Sequence, residues 1–107
     1  IAKLEELDYQ ALTKRFGNYF VVQLGRGWAG RTTFLIKTSQ QFNQLKAKMP
    51  KQIIKATKFI EGLTAINNCV VSANGHIWQS GPAWQITGQE RLCGAGQEMA
   101  TCGRVWL

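Results

Sequence analysis

The chain has 107 residues, 45% hydrophobic and 18% charged, with 13 lysines and arginines against 6 carboxylates and a formal net charge of +7. This length predicts a single basic domain over residues 1–107 with one core. It holds no apolar run near the ~20 residues of a membrane helix, and its scarce acids disfavour hydrolysis by a carboxylate pair.

Residues 2–16 predict a helix: Leu4, Leu7, Ala11, Leu12 and Phe16 recur at helical spacing, and Gly17-Asn18 stops it. Residues 19–24 (YFVVQL) and 32–38 (TTFLIKT) predict a β-hairpin, with Phe20, Val22 and Leu24 on the face of Phe34 and Ile36. Ser39 is the expected N-cap of a helix over 40–49, with Phe42, Leu45 and Met49 as its apolar stripe. After Pro50 a second helix is expected from 51 to about 61. Its lysines Lys51, Lys55 and Lys58 would then form a cationic ridge. Strands return at CVVSA, Asn74-Gly75 and HIWQS, where the Asn-Gly pair predicts a tight two-residue hairpin. Ser80-Gly81-Pro82 predicts a turn that lets Trp78 and Trp84 meet across strands. Strands over 83–87 and 104–107 complete a meander. The expected fold is α+β: N-terminal helix, β-hairpin, two helices and an antiparallel β-meander, in one antiparallel sheet with the helices packed on one face.

Charge distribution carries the functional signal. Between Asp8 and Glu61 there is no acid, but there are ten cations: Lys14, Arg15, Arg26, Arg31, Lys37, Lys46, Lys48, Lys51, Lys55 and Lys58. Such a stretch attracts phosphate or acidic protein surfaces. The blander reading is a solvated face that serves solubility.

GRGWAGRT, Gly25 to Thr32, has the spacing of a phosphate-binding loop with Arg31 in the lysine position. The helix that such a loop requires reads instead as a strand, which excludes a nucleotide-hydrolysing site. Two readings stay open: a glycine-rich hairpin loop, or a loop whose Arg26 and Arg31 grip a phosphate backbone while Trp28 stacks on a base. The nucleic-acid-binding candidates are therefore Arg26, Trp28, Arg31, Lys48, Lys51, Lys55 and Lys58.

His76 is the only histidine. Imidazole suits proton transfer near neutral pH, although a lone histidine at a hairpin end is more often an ordinary surface residue. A metal-independent ribonuclease needs a base for the 2′-hydroxyl, cations for the phosphorane and an acid for the leaving oxygen. His76 or Glu90 could supply the base, and Arg31, Lys37 and Arg91 the charge. Cys93 and Cys102 flank a short Gly-rich segment and are a disulfide candidate, whereas Cys69 reads as a small buried hydrophobe. With no CxxC pair and no second histidine, neither a metal nor another cofactor is expected.

The leading expectation is a small basic ribonuclease or tRNase-type toxin domain, excised or processed from a longer chain because it begins at Ile1 rather than Met. Its partners would be RNA, tRNA included, or another polyanion, and an acidic inhibitor or immunity protein. A toxin of this kind would be secreted by its producer and act in the target cytoplasm. The alternatives are a non-catalytic nucleic-acid-binding module, and a structural or protein-interaction domain such as a surface appendage subunit.

Overall fold

The computed structural model describes residues 1–27, 30–94 and 98–106. The chain opens with a two-residue strand, β1 (Ala2–Lys3), and a 3-10 turn at Leu4–Glu6, followed by α1 (Tyr9–Phe16). The single helix expected over 2–16 is thus divided. Asp8 divides it: its carboxylate accepts from the Ala11 amide at 2.9 Å and caps a helix that starts only at Tyr9. Before the cap, backbone bonds from Leu4 to Gln52 (2.9 Å) and from Glu5 to Pro50 (2.8 Å) hold the chain in another element's sheet.

Strands β2 (Phe20–Leu24) and β3 (Thr33–Ile36) form the expected hairpin, with Phe20 opposite Ile36 and Val22 opposite Phe34. α2 (Ser39–Lys48) follows, capped by the Thr38 hydroxyl, one residue before the expected Ser39. The helix expected over 51–61 is instead β4 (Ile53–Lys58), paired with both β1 and β2. The β-branched pair Ile53-Ile54 and Thr57 suit a pleated strand, and alternation puts Ile54 and Ala56 on the face of Leu24 and Val22. The lysine ridge disappears with the helix: Lys51 precedes the strand, while Lys55 and Lys58, three residues apart, point to opposite faces.

The resulting four-stranded antiparallel sheet has the order β1-β4-β2-β3. Its helix-covered face holds the main core of Leu4, Leu12, Phe20, Val22, Ile36, Phe42 and Ile54. Phe20 and Phe42 meet edge to face at 5.8 Å, which ties α2 to β2.

The C-terminal half forms two further sheets, so the fold is α+β with three sheets rather than the single one expected. β5 (Ala65–Ile66), β8 (Ala83–Thr87) and β9 (Thr101–Trp106) make one, in the order β5-β8-β9. β6 (Cys69–Val71) and β7 (Ile77–Gln79) make a separate hairpin. Its loop has three residues, Ala73 to Gly75, rather than two: the Ser72 amide bonds to His76 O at 2.8 Å, and Gly75, at φ +82°, takes the left-handed position. Trp78 lies opposite Val70, and Trp84 opposite Ala65 and Val105, so the expected Trp78–Trp84 pair does not form. Cys69 is exposed rather than buried.

A disulfide joins Cys93, at the end of the short α3 (Glu90–Cys93), to Cys102 in β9. Within this closed segment, residues 98–100 form a strap that reaches Gly30, before β3, and Lys37, after it. A β-carbon on Gly30 would collide with the Met99 carbonyl, and one on Gly88 with the Glu98 carbonyl. Lys37 Nζ donates to Glu98 Oε2 at 2.9 Å. The radius of gyration, 16.8 Å, exceeds the roughly 13 Å of a compact chain this long, and the molecule measures 48 × 34 × 23 Å.

Two glycines with positive φ separate backbone strain from close packing. Gly75→Ala meets open space and should cost about 1 kcal/mol from its conformation alone. Gly30→Ala, at φ +76°, adds a collision with backbone and should cost at least about 3 kcal/mol. Equal shifts of the urea midpoint in the two variants would contradict the packing assigned to the strap. Replacing Cys93 and Cys102 together by Ser should cost roughly 2–3 kcal/mol in the same assay.

Candidate functional site

The topology sorts the basic residues into two groups. β2 ends and β3 begins at one end of the four-stranded sheet; α2 runs back to that end, and β4 starts there. Arg26 and Arg31 in the β2–β3 connection, Lys48 at the end of α2, Lys51 in the following turn and Lys55 near the start of β4 therefore share this end. All five are exposed, and none forms an ion pair with a carboxylate among the described residues. A shallow concavity of about 540 Å³, lined by Met49, Pro50, Lys51, Gln52 and Ile53, opens at the same place. Lys14, Arg15, Lys37 and Lys58 lie at the opposite end, where α1 stops and β2 begins.

The long acid-free stretch is less acid-free in space than in sequence. The Glu5–Pro50 backbone bond sets Glu5 and Glu6 beside the turn that carries Lys51. Glu98 closes on Lys37, and its hydrogen bond, then its charge, raises the Lys37 pKa above the ordinary lysine range. Lys46 turns inward and donates to Leu7 O at 2.7 Å.

The catalytic candidates divide. Arg31 follows Gly30, which touches the strap; Lys37 bonds to it; Glu90 and Arg91 lie on α3, which the disulfide ties to its far side. All four are exposed, with Arg31 and Lys37 beyond opposite ends of β3. His76 is not among them. It sits at the tip of the β6–β7 hairpin, exposed, with its ring edge-on to Trp78 at 4.6 Å. Trp28 lies outside the described residues.

The sequence argument missed the hairpin's exposure. Val70, Val71, Ile77 and Trp78 are each more than 60% exposed, on both faces. No local signal pointed to it: the stretch from Gly62 to Gln89 has no Asp, Glu, Lys or Arg, which reads as burial rather than exposure. Among the described residues, no three His, Cys, Asp or Glu side chains gather as a metal site, and no helix is long and apolar enough to cross a membrane.

No protein-family model matches the chain, and no curated protein or solved structure is significantly similar to it.

The Lys37–Glu98 pair gives a pH prediction. A lysine whose pKa is raised by folding stabilises the fold at pH values below its unfolded pKa, and that contribution is lost as pH rises through the folded value. Lys37→Met should therefore lower stability in the neutral range by a constant offset and reduce the stability lost on the alkaline side. Circular-dichroism melts across the alkaline range read this directly; parallel curves there would deny the pair any role.

Proposed function

We propose that the chain is a non-catalytic nucleic-acid-binding module that holds the phosphate backbone at the sheet end carrying Arg26, Arg31, Lys48, Lys51 and Lys55. The observation that carries the reading is their convergence: cations spread over some thirty residues of sequence reach one end of one sheet, exposed and without carboxylate ion pairs among the described residues. Lysines and arginines placed on phosphates release condensed counterions, which gives affinity without sequence preference. The concavity between Met49 and Ile53 gives a strand somewhere to lie among them. Glu5 and Glu6 border this end on the β1 side and limit the cationic area to the β2, β3 and β4 side.

A ribonuclease is the second reading, for which the strap and disulfide supply a connected set: Lys37 bonds to Glu98, and Glu90 and Arg91 lie on α3, which the disulfide joins to β9. That arrangement transfers the role of base from His76 to Glu90. The elements of a phosphorane-stabilising site would then be Arg31 and Arg91, since Lys37 already holds Glu98.

Binding of a labelled duplex should weaken with salt at a log–log slope between about −4 and −5, as expected for some five phosphate contacts. Arg26→Glu with Arg31→Glu should flatten that slope, whereas Lys14→Glu with Arg15→Glu, at the opposite end, should change it little. A salt-independent affinity would refute the reading. Incubating wild type with tRNA and rRNA in EDTA decides the catalytic alternative: intact RNA removes it, whereas cleavage abolished by Glu90→Gln and retained by His76→Ala would establish it.

A further inference from the structure

We infer that the concavity at the tip of the β6–β7 hairpin is a stacking site for an unpaired nucleobase, so that this chain binds single-stranded nucleic acid more tightly than duplex. The inference deepens the nucleic-acid reading above and rests on it.

His76 directly precedes β7, its carbonyl continuing the pairing with Ser72, and lies two residues from Trp78, so their side chains share a face. Their rings meet at 64° with centroids 4.6 Å apart, forming a corner of two aromatic walls. Ser72, Ala73 and Asn74 complete the lining of a shallow concavity of about 440 Å³. Burial in a core is the usual use of a tryptophan, but this one is 64% exposed and faces only Val70 across the strands, itself 64% exposed. A large flat π-surface left in water on a rigid hairpin is the form of a stacking platform for bases.

The polar side of the concavity suits a base as well. Asn74 Oδ1 accepts from the Ser72 hydroxyl and from the His76 amide, the latter at 3.2 Å. These bonds fix the orientation of the Asn74 amide and leave its NH₂ group free to donate to a carbonyl or ring nitrogen of a base. No Asp, Glu, Lys or Arg occurs between Gly62 and Gln89, so the hairpin offers a site for a neutral ring while the phosphates fall to the cationic sheet end. Bases inside a duplex are already stacked and paired and have no free face to offer; only an unpaired base can lie on Trp78.

The test is fluorescence anisotropy at low salt with a labelled single-stranded 12-mer and with a duplex of the same sequence. Trp78→Ala should weaken single-strand binding by about tenfold and duplex binding by less than about twofold, and Trp78→Phe should retain most of the single-strand affinity. Asn74→Ala should cause a smaller loss on the same ligand. Trp78 is exposed, so circular dichroism of the variants should match wild type. If Trp78→Ala changes neither ligand while the salt dependence persists, the stacking site is refuted and the polyanion reading stands. If neither ligand binds wild type even at low salt, the underlying reading fails with it. A wild-type dimer that Trp78→Ala converts to a monomer, at unchanged affinity, would instead make the hairpin a contact between copies and overturn the inference.

Discussion

Two backbone carbonyls, those of Glu98 and Met99, press against two α-carbons that bear no side chain, Gly88 and Gly30. Of the two approaches, Met99 on Gly30 joins the helix-backed sheet to the C-terminal half, with the Lys37–Glu98 ion pair beside it, whereas Glu98 on Gly88 holds the strap to the end of β8. The main core lies entirely within the first 58 residues, whereas the buried residues described in the C-terminal half are small: Ala83, Cys93 and Ala100. Its sheets have too little apolar area to hold themselves in place. The disulfide limits the freedom of the segment that carries the strap, and Lys37 adds an ion pair at the strap's edge. Position and register, rather than buried area, set the geometry of the second half.

That arrangement divides the surface by chemistry. Cations occupy the ends of the first sheet, while exposed apolar and aromatic side chains occupy a charge-free arm beyond the strap. A polymer that alternates phosphates with flat heterocycles presents the same two chemistries at short range. The common carrier of both proposals is therefore this separation rather than any one residue. It also parts the catalytic candidates: the lone imidazole is on the arm, Arg31 is at the cationic sheet end, and Glu90 and Arg91 are on α3.

The part of the fold that local physics decides was legible in the sequence. Phe20, Val22, Phe34 and Ile36 alternate cleanly, and their shared face follows from the pleat alone. The α2 boundaries emerge to within a residue from Ser and Thr capping chemistry. The errors arose where a distant partner overrode a periodic pattern. Ile53, Ile54, Thr57 and Ile60 fit a helical stripe, yet β1 and β2 both supply hydrogen bonds to this segment and make it a strand. Leu4 and Leu7 fit the stripe of α1, but Asp8 caps the helix after them. The candidate site suffered in the same way. Whether Lys51 and Lys55 join Arg26 depends on the crossover that returns β4 beside β2, which no local signal encodes. The exposure of Trp78 was equally invisible, since an apolar strand reads alike whether or not another layer covers it.

The charge-free arm also changes how copies of this protein treat one another. β6 and β7 pair only with each other, so each presents an outer row of amides and carbonyls that another strand could take up. The arm has no lysine, proline or inward charge to block such pairing. Repulsion between the cationic halves opposes such pairing, and it acts over only about 8 Å at physiological ionic strength. Anything that neutralises those halves, whether added salt or a bound polyanion, removes the barrier to lateral strand addition. Loading a long polyanion with many copies would set their arms side by side without mutual repulsion, a condition that favours condensation into ordered arrays over dispersal.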